Sequence, residues 1–129
     1  MHEDDERYQA GLRARAEVLG RGRLEATLAA PASPTMQRWQ RYLTEEGWGG
    51  VWCRPGLDRK SRSLITVTAL AMAGRDHELA LHLQGARRNG WTQDELGEAL
   101  IHLVAYAGYP AAVAAFRLLD GAFAEELPV

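Results

Sequence analysis

Two histidines and a glutamate lie close together in Gly74-Arg75-Asp76-His77-Glu78-Leu79-Ala80-Leu81-His82, where the surrounding pattern predicts the start of a short helix. An imidazole that titrates near neutral pH, beside a carboxylate that can orient or recharge it, is equipment for proton transfer. Glu78 and His82 are four residues apart and share a helix face, where such a pair is also a common helix-stabilising contact. His77 and Glu78 fall in the first turn, where the macrodipole favours a carboxylate and disfavours an imidazolium. The order His-Glu-x-x-x-His is one residue longer than the zinc-protease pattern. It sets its histidines roughly 140° apart around a helix, so a protease zinc site is rejected.

Arg54, Arg59, Arg62 and Arg75 precede this segment or open it. Arginine offers planar, bidentate recognition of carboxylates. Each arginine alone also reads as a solvated surface charge, and for Arg59 that reading is preferred. Arg62 leads into the apolar run from Leu64, so its head is a candidate to emerge into a cavity. His102, between Ile101 and Leu103, reads as a packed or partner-contacting histidine. Glu98, one turn earlier, either lines a site or pairs with an arginine. Tyr106 and Tyr109 read as core or interface rings with a hydroxyl handle. Cys53 reads equally as a small buried hydrophobe or a reactive thiol, and His2 as a disordered terminal residue.

The elements that must position these residues are helical. No segment alternates with the period of a strand. Tyr8, Leu12, Ala16 and Leu19 recur at three and four within a helix from Asp4 to Leu19. A second helix starts near Pro34, carries Met36, Trp39 and Leu43 on one face, and is expected to stop at Gly47; the stretch Glu25 to Pro34 is ambiguous. Gly47 to Leu57, with Trp48 and Trp52 among glycines, reads as a structured loop. Asp58 is the expected N-cap of a helix through Ala73 whose second half is apolar on nearly every face, which puts it at the centre of the fold. Asp76 is the expected cap of the next, His77 to Arg88, with Asn89-Gly90 as its stop. Thr92-Gln93-Asp94-Glu95 has the form of a capping box and opens a helix to about Ala107. Gly108-Tyr109-Pro110 breaks the chain before a last helix from Ala111 to about Ala124. The expectation is an all-α bundle of about six helices in a single domain, residues 1–129.

The composition excludes several classes. The chain has 129 residues, 47% hydrophobic and 25% charged, with a formal net charge of −2. There is no basic run to meet nucleic acid. One cysteine closes no internal disulfide and completes no thiolate zinc site. No apolar stretch follows the acidic start, Met1 to Glu6, so no secretory leader is expected, and the longest apolar segment, Leu64 to Ala73, falls well short of the ~20 residues of a membrane span. A cytoplasmic protein without a membrane partner is the expectation. Helices this apolar are hard to cover in one small chain, which favours a homo-oligomer.

The run Trp52-Cys53-Arg54-Pro55-Gly56-Leu57-Asp58-Arg59-Lys60-Ser61-Arg62-Ser63-Leu64-Ile65-Thr66 resembles the signature of the carboxymuconolactone decarboxylase family. So do Gly74 to Leu79 with His82, Tyr106 to Ala112, and the N-terminal stretches Arg7 to Leu12 and Arg15 to Gly20. The resemblance covers nearly the whole chain, in order. Related alkylhydroperoxidase-like proteins share the α-helical fold and carry Cys-x-x-Cys and a histidine on the corresponding helix. Arg75 and Glu78 stand where those cysteines would be, which argues for the decarboxylase branch. The resemblance implies conversion of 4-carboxymuconolactone to 3-oxoadipate enol-lactone and CO2, a step of protocatechuate breakdown in the β-ketoadipate pathway. It also implies a homo-oligomer, commonly a hexamer, with no metal or organic cofactor.

Such a substrate, a lactone dicarboxylate, carries its own electron sink. The departing carboxylate is conjugated through the ring double bond to the lactone carbonyl. The protein must hold the acetate arm, stabilise the oxyanion and protonate the ring carbon next to the carbonyl. On this reading Arg54 or Arg62 clamps a carboxylate with the other near the oxyanion, Arg75 adds a third binding cation, and His77 or His82 donates the proton with Glu78 behind it. The rivals are a related decarboxylase or redox enzyme on the same fold, and a non-catalytic oligomeric binding protein.

Overall fold

The computed structural model describes residues 3–129, with Glu3 and Asp4 described by backbone alone; His2 lies outside the described residues. The described residues form seven α-helices and one π-helical segment, with no strand among them. No helix among them is long and apolar enough to cross a membrane. They fall into two compact units, one that runs up to Leu57 and includes Val129, and one of residues 58–128.

In the first unit, α1 (Glu3–Leu19) ends at Gly20, whose φ of 101° turns the chain into α2 (Arg21–Ala29). The ambiguous stretch of sequence is thus partly helical, through Ala29. Ser33 caps α3 (Pro34–Tyr42) by accepting the Met36 N–H at 3.1 Å, with Pro34 in the first turn. The helix does not stop at Gly47 as the sequence suggested. It passes directly into a π-helical segment, Leu43–Trp52, so the expected loop is wound until Cys53. The reason is close packing against α1. A Cβ on Gly11 would collide with the Thr44 carbonyl oxygen and the Gly49 nitrogen, and one on Gly49 with the Arg7 carbonyl oxygen. Ala14, Val18 and Trp48 form the small core there, with Trp52 stacked on Trp48 at 4.9 Å between ring centroids. Arg15 is buried beside it. Its guanidinium donates to Gln40 Oε1 (2.8 Å) and Thr44 Oγ1 (3.2 Å), and desolvation lowers its pKa.

The second unit packs α4 (Arg59–Ala73), α5 (Asp76–Arg88), α6 (Gln93–Ala107) and α7 (Tyr109–Phe123) around Val67, Leu79, Leu83, Leu96, Leu100 and Leu119. Each leucine fully buried in this way contributes about 2 kcal/mol of transfer free energy. Asp58 caps α4 by accepting the Ser61 N–H at 2.7 Å, as the sequence suggested. Thr92 and Glu95 form the reciprocal capping box of α6. Gly108, with φ of 85°, separates α6 from α7.

Two expectations are corrected here. The α5 cap position belongs to Arg75, and Asp76 is the first helical residue. Helix α4 is not buried all round either. Ser63, Val67 and Ala71, four apart, face the core, while Ile65 and Met72 on the other side are half exposed.

Candidate active site

Helix α5 carries the two histidines and the glutamate, and its rotation decides what each can do. Leu79, Leu83 and Ala86 form its buried stripe. At about 100° per residue, His82 lies on the flank of that stripe, and Glu78 lies about 40° further round on the same flank. His77 lies nearly opposite the stripe. The exposures follow: His82 is half-buried, and Glu78 and His77 are exposed.

Burial gives His82 its electrostatics. Desolvation pushes its pKa from 6.5 down to about 4, and the nearby Glu78 carboxylate opposes the shift without cancelling it. His82 therefore rests as a neutral imidazole at pH 7.

Helices α4 and α5 form an antiparallel hairpin around Gly74, which takes the left-handed conformation (φ 69°) that favours glycine. Arg75 sits at this turn, exposed, one residue before α5 begins. Its N–H donates to the Leu70 carbonyl at 3.0 Å, and its carbonyl accepts from Leu79 N–H at 2.8 Å. Arg75, His77 and Glu78 thus share one end of the hairpin. At the other end, Asn89 Nδ2 donates to Ser63 Oγ at 2.5 Å, and Trp91 Nε1 to the Lys60 carbonyl at 2.7 Å. Those bonds fix the register. Arg62, half-buried, belongs to that far end, about 12 Å along the axis from the level of His82. Helical side chains lean toward the N-terminus, which carries the Arg62 head further from His77. The hairpin thus brings Arg75 to His77 and Glu78 and keeps Arg62 away from them. Arg54 belongs to the first unit, exposed just past the π-helical segment, where its N–H donates to the Val51 carbonyl at 3.1 Å.

Other candidates resolve simply. Cys53 is exposed, its Sγ 3.8 Å from the Ala10 carbonyl oxygen. His102 is exposed rather than packed, its ring 5.7 Å from that of Tyr106. Tyr106 and Tyr109 are both exposed, so neither is a core ring. One polar group on α5 went unmarked by any motif. The Gln84 Oε1 is buried without a hydrogen-bond partner among the described residues. Such an atom invites a donor from outside them.

The sequence profile of the carboxymuconolactone decarboxylase family matches residues 37–121. The chain belongs to that family. A 4-carboxymuconolactone decarboxylase of Acinetobacter baylyi is 41% identical to it over 120 residues, covering 93% of this chain and 89% of the relative. A nitrosuccinic acid decarboxylase of Metarhizium robertsii is also 41% identical, over 84% of this chain and 75% of its own. The chain is accordingly an enzyme of the decarboxylase class, a carboxy-lyase acting on a small molecule.

Proposed function

We propose that this enzyme decarboxylates 4-carboxymuconolactone to 3-oxoadipate enol-lactone and CO2 in protocatechuate catabolism, as a cytoplasmic homo-oligomer, hexameric in the family pattern. The observation that carries the reading is the 41% identity to the Acinetobacter decarboxylase across 93% of the chain. The family match crosses the boundary between the two compact units, which supports treating residues 1–129 as one catalytic domain.

The bond from the ring carbon to the carboxylate breaks. Its electrons pass through the ring double bond to the lactone carbonyl oxygen, and a proton is then added at the carbon next to that carbonyl. Arg75, at the His77 end of the hairpin, takes one substrate carboxylate, and Arg54 and Arg62 are the candidates for the second and for the oxyanion. His82 rests neutral because burial outweighs Glu78. A dianionic substrate adds negative potential in the direction Glu78 already acts. Binding therefore raises the His82 pKa and lets it collect the proton it delivers, with Glu78 holding the imidazolium. His77, exposed in the first turn, is the alternative donor.

A second reading, a different acid as substrate, is favoured by the equal identity to the nitrosuccinic acid decarboxylase. One experiment addresses both. Purified protein is assayed for CO2 release from 4-carboxymuconolactone and from nitrosuccinate, without added metal or cofactor, alongside His82→Ala and His77→Ala. The expected result is turnover of the lactone, lost in His82→Ala. Turnover of nitrosuccinate alone selects the second reading, and no turnover of the lactone by folded protein sinks the first.

A further inference from the structure

Helix α3 buries none of its residues. Met36, Trp39 and Tyr42 line one side of it, with Trp39 51% and Tyr42 61% exposed and their rings stacked at 6.2 Å. Arg38 borders that side. Its guanidinium donates to Thr35 Oγ1 at 3.4 Å, whereas its neighbour Arg41 is engaged by Asp5 and Glu45. The helix carries no acidic residue. A nine-residue helix that offers Trp, Tyr and Arg together and covers none of them has the composition of a binding anchor.

The second unit holds a surface of opposite character. Between α6 and α7 lies an open cavity of about 400 Å³ whose apolar floor includes Ile101 and Phe116, 56% and 37% exposed. Asp94, Glu98 and Asp120 stand on its rim with no basic side chain among the lining residues. Asp120 accepts from Gln93 Nε2 at 3.0 Å, and no ion pair engages any of the three carboxylates among the described residues. An apolar floor with an acidic rim fits an aromatic helix with a basic edge.

We propose that α3 of one chain docks on the α6–α7 groove of a second copy, with Trp39 on the Ile101–Phe116 floor and Arg38 against Glu98. This rests on the homo-oligomer reading above and deepens it by naming the two faces. Because the faces differ, the contact is heterologous, and a docked pair keeps one face of each kind free for a further copy. The enclosed apolar floor supplies affinity, and the charges set the register and exclude wrong partners.

Sedimentation velocity at micromolar protein tests this with wild type, Arg38→Glu, Glu98→Arg and the double variant. Both positions are exposed, and circular dichroism checks that each variant keeps its fold; Trp39→Ala is an uncharged companion. Each single reversal is expected to weaken assembly by roughly tenfold or more, and Arg38→Glu/Glu98→Arg to recover most of it. A monomeric wild type overturns the proposal, and so do single variants that assemble normally, or a double variant no better than either single. A monomer that binds anionic vesicles through Trp39 would assign α3 to a membrane surface instead. The readout needs no substrate. Assembly through this pair by a chain inactive on 4-carboxymuconolactone would keep the docking inference and remove only the substrate reading.

Discussion

Replacing His82 by glutamine tests the electrostatics of α5 without a substrate. In the unfolded chain a histidine binds its proton near pH 6.5; in the folded protein burial holds His82 to about pH 4. Between those values the unfolded state holds more protons, so stability rises with pH. The contribution is fully present above about pH 7 and is lost progressively as pH falls from 6.5 to about 4. The complete loss is about 3 kcal/mol, and about 2 kcal/mol of it has gone by pH 5. Urea unfolding of wild type and His82→Gln at pH 7.5 and pH 5.0, at one fixed protein concentration, isolates it, because every other carboxylate and histidine titrates in both proteins. Wild type is expected to lose about 2 kcal/mol more than the variant on acidification. That is a relative midpoint change of about 1 M urea for an m-value near 2 kcal/mol/M. If the two proteins lose stability in parallel, His82 is not held neutral by burial, and its resting state in the proposed proton transfer is wrong.

Two further perturbations test the scaffold. Gly11→Ala drives a methyl group into the Thr44 carbonyl and the Gly49 backbone, and is expected to cost about 3 kcal/mol or more, read as a fall in the urea midpoint. Thr92→Ala removes one half of the α6 capping box and is expected to cost about 1 kcal/mol, with native helix content by circular dichroism.

What could be read from the sequence was what local chemistry decides. The caps at Asp58 and Thr92 and the stop at Asn89-Gly90 depend on residues within a turn of each other and stand where the pattern put them. The break expected over Gly108 to Pro110 narrows to Gly108, with α7 starting at Tyr109 rather than Ala111. The winding of Leu43–Trp52 was hidden because it depends on an approach between Gly11 and Gly49, far apart in sequence. Composition also misread α4. Apolar residues on nearly every face put it at the centre of the fold, yet Ile65 and Met72 lie open. Hydrophobicity reports that a face avoids water and is silent on whose atoms cover it.

The candidate site divides along the same line. The four-residue spacing that puts Glu78 and His82 on one flank of α5 is visible in the sequence, and so is the 140° that sends His77 elsewhere. Their inequality is not, because it follows from which side of α5 meets the core. Leu79, Leu83 and Ala86 turn inward, and this draws His82 out of water and leaves His77 in it. The arginines follow the hairpin. A motif read as a line makes Arg62 and Arg75 near-equivalent approaches to His77. Folding α4 back on α5 makes them opposites, since each residue gained toward Arg62 on one helix is a residue lost from His77 on the other. A guanidinium at the Arg62 position can then act with His77 only across a substrate of considerable reach or from another copy of the chain, whereas Arg75 needs neither. Of the single substitutions among these cations, Arg75→Gln should therefore weaken substrate binding most directly at the His77 end of the hairpin.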